Sequence, residues 1–179
     1  MMKRWPLYIL IFCAGVSVLV LCQNLYFNIY SWSLPPGIYR KVDHAPRKGM
    51  FAASCLTVPI AQLGLRNEYL MKGRCRTGIQ PVMKKIYGVP GDTVEIIDDR
   101  IFINGEEAKG IHILDYDSKG RDIYRFFEGK MTLNEGYYLL LSDYKKNSWD
   151  SRYWGAVNID FVLEPVFIFP FKGIHYGST

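Results

Sequence analysis

Three stretches of this chain carry residues able to do chemistry with one another. The first reads Ser31-Trp32-Ser33-Leu34-Pro35-Pro36-Gly37-Ile38-Tyr39, two hydroxyls at spacing two followed by prolines that stiffen the main chain. The second reads Val82-Met83-Lys84-Lys85-Ile86-Tyr87-Gly88-Val89-Pro90-Gly91-Asp92, with adjacent lysines inside a strand-like run. Successive side chains of a strand point to opposite faces, so one lysine reaches water while the other is driven toward the apolar side. An amine forced into low dielectric releases its proton more readily, and a neutral amine can take the proton of a serine hydroxyl. The third stretch, Ser142-Asp143-Tyr144-Lys145-Lys146-Asn147-Ser148-Trp149-Asp150-Ser151-Arg152-Tyr153-Trp154-Gly155, packs Asn, Ser, Asp and Arg beside aromatics. It suits a hydrogen-bonded loop laid against a core, with Asp150 and Arg152 placed to pair. Taken singly, the first stretch is an ordinary capped turn, the second an edge strand guarded by exposed lysines, and the third a polar turn. Their occurrence together is what points to a Ser–Lys nucleophile and base.

A dyad of this kind has to be held by rigid elements, and past residue 23 the chain reads as short strands separated by turn residues. Period-two or continuous apolar runs predict strands at 37–42, 50–58, 82–87, 93–97, 100–103, 137–142 and 161–169. Asp98-Asp99 reads as a two-residue hairpin turn, and Asn104-Gly105 marks another turn. One short helix is expected at 60–66, following Pro59. Pro165 and Pro170 demote the last strand to an edge or break it. Residues 106–130, rich in charge and glycine, read as a surface excursion between sheet elements. The expectation is a mainly β fold, a twisted and mostly antiparallel sheet domain.

The N-terminus asks for something different. Lys3 and Arg4 precede a run from Trp5 to Cys22 without a charged residue, about the minimum that crosses a hydrocarbon core as a helix. Basic residues before the run place its start in the cytoplasm. Trp5 and Tyr8 at one end, with Tyr26, Phe27 and Tyr30 past the other, suit the two interfacial belts. A cleavable signal peptide is the competing reading, but no small-x-small site follows in Leu21-Cys22-Gln23-Asn24. Residues 1–23 are therefore expected to anchor the chain as one transmembrane helix, with 24–179 an extracytoplasmic domain. In that oxidising compartment Cys55 and Cys75 are a candidate disulfide, two free buried thiols being the alternative.

Composition narrows the classes further. The chain has 179 residues, 49% of them hydrophobic, enough for one domain with a real core plus an anchor. The net charge is only +5, and the basic residues are dispersed, which disfavours a nucleic-acid groove. His44, His112 and His175 show no ligand spacing, so neither a metal site nor a cofactor is expected.

Together the three stretches resemble the signal peptidase I family (peptidase S26). The resemblance rests most on Lys84-Lys85-Ile86-Tyr87-Gly88-Val89-Pro90-Gly91-Asp92 and on Asn147-Ser148-Trp149-Asp150-Ser151-Arg152-Tyr153-Trp154-Gly155. It implies a signal peptidase I type β fold with Ser33 as nucleophile and Lys84 as base. Ser31 would join the Ser33 N–H in an oxyanion hole, Ser148 would bond the lysine, and Asp150 with Arg152 would form a structural pair. Asp143 would open the last box in a structural role. Two departures are Ser33-Leu34-Pro35-Pro36 after the nucleophile and Ser142 in place of the usual glycine. Both resemble the TraF-type branch that serves plasmid conjugation, as does the cysteine-flanked Tyr69-Leu70-Met71-Lys72-Gly73-Arg74-Cys75. The resemblance implies exported precursors as partners, bearing a signal peptide or a pilin sequence, and a single-pass location in the bacterial inner membrane with a periplasmic catalytic domain. From another class, an inactive envelope assembly subunit of a transfer apparatus is the rival reading.

Overall fold

A computed structural model describes residues 5–29 and 33–169, side chains 6–7 and 18–22 excepted. The apolar N-terminal run forms helix α1 (Trp5–Cys22). Among the described residues, no helix is long and apolar enough to cross a membrane. Two turn residues then lead into β1 (Leu25–Asn28), and β2 (Gly37–Val42), β3 (Phe51–Ser54) and α2 (Val58–Arg66) follow. The rest of the chain is β4 (Val82–Gly88), β5 (Thr93–Ile97), β6 (Arg100–Ile103), β7 (Glu106–His112), β8 (Gly129–Thr132), β9 (Leu139–Leu141), α3 (Ser151–Trp154) and β10 (Phe161–Ile168).

These strands form two antiparallel sheets, of order β1-β2-β10-β3-β4-β9 and β7-β6-β5-β8. The mainly β, antiparallel expectation is met. The larger sheet is covered on both faces. Ala52 contributes to the main apolar cluster, while its neighbour Ala53 joins a second, smaller one with Leu34, Tyr39 and Leu163. Both alanines are fully buried, as adjacent residues of a strand must be when each face is packed.

Turn chemistry links the sheets. Pro90-Gly91 bends the chain between β4 and β5, with Gly91 at φ +88°, a conformation that favours glycine. Asp92 then fastens the bend. It accepts the Val89 N–H at 2.8 Å and the Asn104 side-chain amide at 2.7 Å, and pairs with Lys48 at 2.9 Å. Asp98 takes positive φ in the hairpin between β5 and β6, and Asn104-Gly105 does so in the next, both at the predicted turns.

Three expectations are corrected. Residues 106–130 are not a mere excursion, because β7 and the start of β8 lie there as the two edges of the smaller sheet. α2 begins at Val58, so that Pro59 sits in its first turn, where a missing N–H costs nothing. β10 lies inside the larger sheet, yet it pairs with β3 only over its first three residues, Phe161, Val162 and Leu163. Pro165 falls beyond that point, where one side of β10 is open and its register on β2 shifts. Pro170 lies outside the described residues. Cys55 and Cys75 form a disulfide with Cα atoms 5.6 Å apart, closing a loop that carries α2.

Candidate active site

β4 positions the two lysines. Its residues alternate buried and half-buried from Val82 to Gly88, so Lys84 faces inward with Val82 and Ile86, while Lys85 faces outward. Because β4 is paired by β3 on one side and β9 on the other, Lys84 cannot swing out along an edge. Fully buried Ala52 stands opposite it in β3, a small neighbour beside the lysine stem. Only 5% of Lys84 is exposed.

Two hydroxyls from distant parts of the chain meet its amine. Lys84 Nζ lies 2.5 Å from Ser33 Oγ and 2.9 Å from Ser148 Oγ, and the two hydroxyl oxygens are 3.2 Å apart. Burial pushes the Lys84 ammonium down from its usual 10.5 to about 8. The Asp150 carboxylate works against that shift, whereas the charges of Arg152 and Lys145 add to it. An amine of this kind holds a usable neutral fraction near neutral pH. It then has a lone pair for the Ser33 proton and two N–H groups for other acceptors.

The last box acts through main-chain carbonyls. Asp150 caps α3 by accepting the Arg152 N–H, and its carboxylate pairs with the Arg152 guanidinium at 2.8 Å, both side chains fully buried. Every guanidinium N–H has a partner. Nε and one Nη2 hydrogen go to Asp150, Nη1 donates to the carbonyls of His112 and Lys146, and Nη2 also donates to that of Ser148 at 2.8 Å. Gripping the Ser148 carbonyl fixes the backbone from which Ser148 reaches Lys84. Asp143 serves the outer face instead, accepting from Lys85 Nζ and the Tyr87 hydroxyl, each at 2.8 Å. Burial alone would raise the Asp143 carboxyl, but those two bonds outweigh it and hold it below the usual range.

Ser33 and Lys84 open onto a cleft of about 620 Å³. Phe27, Leu70, Met71, Met83 and Leu114 give its walls an apolar character, and Tyr69 stands against Trp149 in the same wall. Among the described residues no cluster of His, Cys, Asp or Glu is placed to hold a metal ion.

Of the residues singled out in the sequence, Ser33, Lys84, Ser148, Asp150 and Arg152 form one connected network. Ser31 lies outside the described residues. Three participants were missed: Ser142, Asn28 and Tyr39, which bond the main chain around Ser33. The departure from the family's glycine at Ser142 was the one available signal. The carbonyl of His112, in the segment taken for an excursion, was also missed.

A family model described as "Signal peptidase, peptidase S26" matches residues 65–169, a span that includes Lys84 and the last box but begins after Ser33. The plasmid transfer protein TraF of Escherichia coli is 30% identical over 166 residues, covering 86% of this chain and 90% of that protein. The conjugal transfer protein TraF of Agrobacterium fabrum (strain C58 / ATCC 33970) is 36% identical over 104 residues, covering 56% of this chain and 57% of that protein. A crystal structure of a signal peptidase I from Enterococcus faecalis V583 is 26% identical and covers 68% of this chain and 98% of that one, with a TM-score of 0.38. On the family match and the near full-length likeness to TraF, the chain belongs to the peptidase S26 signal peptidase family, in its TraF branch.

Proposed function

We propose that this protein is a membrane-anchored serine endopeptidase that removes signal peptides or processes other exported precursors, a pilin in plasmid conjugation foremost. The observation that carries the reading is a buried lysine with a lowered pKa, 2.5 Å from the hydroxyl of Ser33. Lys84 as neutral amine takes the Ser33 proton while the Ser33 oxygen bonds to the scissile carbonyl carbon. Collapse of the tetrahedral intermediate breaks the C–N bond, and the Lys84 ammonium returns its proton to the leaving amine. Water then attacks the ester with Lys84 as base, which frees Ser33.

The Ser33 N–H and the Ser31 hydroxyl hold the oxyanion, donors that in other acyl-transfer enzymes contribute about 3–4 kcal/mol each. Ser148 keeps the amine aimed, and the Asp150–Arg152 pair keeps Ser148 in place. In this reading residues 1–23 anchor the chain in the bacterial inner membrane with the N-terminus cytoplasmic, and residues 24–179 work in the periplasm. The sequence supports the anchor: Lys3 and Arg4 precede a run from Trp5 to Cys22 that carries no charged residue. A precursor whose own apolar segment shares that membrane presents its cleavage site near Ser33.

The test is incubation of an exported precursor with membranes holding the wild type, Ser33→Ala or Lys84→Ala. Mass spectrometry of the products should show one new N-terminus with the wild type and none with either variant. An inactive assembly subunit would leave the precursor intact in all three, and Ser33→Ala would still support assembly of the transfer apparatus.

A further inference from the structure

The segment Ser33-Leu34-Pro35-Pro36 joins no sheet ladder; the Pro36 carbonyl accepts the Phe169 N–H at 2.9 Å, but no row of strand donors runs beside the three carbonyls before it. Ser33 and Leu34 are nevertheless 7% and 2% exposed, so water does not fill the gap. Three successive carbonyls are taken instead by side-chain donors from three different places. Ser142 Oγ donates to the Ser33 carbonyl at 2.6 Å. Asn28 Nδ2 donates to the carbonyls of Leu34 and Pro35 at 3.1 and 3.2 Å, and the Tyr39 hydroxyl donates to that of Pro35 at 2.6 Å. All three donors are buried: Asn28 at the end of β1, Tyr39 in β2, and Ser142 just after β9.

Ser142 is itself held. Its N–H donates to Asp150 Oδ2 at 3.1 Å, and its Oγ accepts from the Tyr144 and Lys145 N–H groups, each at 3.3 Å. Asp150 is locked to Arg152, which also grips the Ser148 carbonyl. One buried ion pair thus stands behind two hydroxyls: Ser148, aimed at the lysine, and Ser142, aimed at the backbone of the serine.

We propose that Asn28, Tyr39 and Ser142 form a main-chain clamp that fixes the Ser33 hydroxyl against Lys84, with Ser142 its principal positioning residue. The proposal rests on the Ser–Lys reading above. None of the three touches reacting atoms. Their contribution is to hold Oγ within reach of Nζ in a segment that has no ladder of its own.

The test uses the full chain in membranes, with Ser142→Ala, Ser142→Gly, Ser142→Thr and Tyr39→Phe beside Ser33→Ala. Ser142→Ala and Ser142→Gly should lower kcat by roughly tenfold or more, as loss of a buried hydrogen bond to the main chain that carries the nucleophile implies. KM and the pH limb set by Lys84 should not move, and Ser142→Thr, which keeps the hydroxyl, should restore most of the loss. Tyr39→Phe, two residues further from the nucleophile, should lose less in the same direction. Independently of activity, amide hydrogen exchange at Leu34 should speed up in Ser142→Ala. Full kcat in Ser142→Ala with unchanged exchange at Leu34 would overturn the clamp, as would a loss that tracks lower melting and that Ser142→Thr does not restore. If Ser33→Ala cleaves as fast as the wild type, the Ser–Lys reading fails first, and exchange at Leu34 still reports whether Ser142 holds the segment.

Discussion

Lys84 is charged in the unfolded chain at neutral pH and loses nearly all its contact with water when the chain folds, so its burial opposes folding. The sign follows from where the protons sit. Between about pH 8, where the folded group titrates, and 10.5, the unfolded chain binds more protons, so stability rises with pH across that window. Below it the full cost stands, on the order of 3 kcal/mol for a shift of this size. Replacing the lysine by methionine removes the cost while keeping the volume. Lys84→Met should therefore melt above the wild type at pH 7, with the difference shrinking as pH rises through 8 toward 10.5. Differential scanning calorimetry at several pH values reads this directly. The same titration should govern turnover. With a neutral amine as base, kcat/KM should climb with pH through a midpoint near 8, a limb that a rate profile on any cleaved precursor would reveal.

At the scale of elements, four-residue α3 and the loop before it are held by polar contacts as well as by Trp149, Tyr153 and Trp154 packed into the main core. Asp150 and Arg152 are fully buried, and the guanidinium ties this loop to β7 through the His112 carbonyl. Breaking a buried pair strands one charge and costs about 3–5 kcal/mol. Arg152→Met should lose stability of that order and lose cleavage too, because Ser148 is no longer held; urea denaturation of the variant checks the first part. The same loop shows what sequence reading reaches at this scale. β2, β5 and β6 were legible to the residue, because alternation inside them and turn residues beside them agree. β7 was hidden because only Ala108 and Ile111 of Glu106–His112 face the core, leaving the charges of an edge strand to dominate the pattern. β1 was hidden because Tyr26 and Phe27 read equally well as an interfacial belt, and only its pairing with β2 separates the two. α3 is too short to show any period.

Across the whole molecule, the site joins residues that no local pattern relates. Ser33 follows β1, Lys84 lies in β4 and Ser148 precedes α3, and the larger sheet brings them within 3.2 Å of one another. Specific boxes made Lys84, Ser148, Asp150 and Arg152 readable from the sequence. Asn28, Tyr39 and Ser142 were not, because they act on carbonyls, which carry no signature in side-chain type. At this scale the account also predicts orientation. The full chain should stay with the membrane after an alkaline wash, and protease added to spheroplasts, but not to intact cells, should digest it from the C-terminal side. Release by the wash, or protection in spheroplasts, would remove the anchored periplasmic arrangement. The central claim is that Ser33 is the nucleophile and Lys84 activates it, and acid-quenched intact mass spectrometry during precursor turnover tests it most directly. The account predicts a precursor fragment esterified to the Ser33-containing peptide of the wild type, absent from both Ser33→Ala and Lys84→Ala. An adduct that persists in Ser33→Ala, or undiminished acylation in Lys84→Ala, would contradict it.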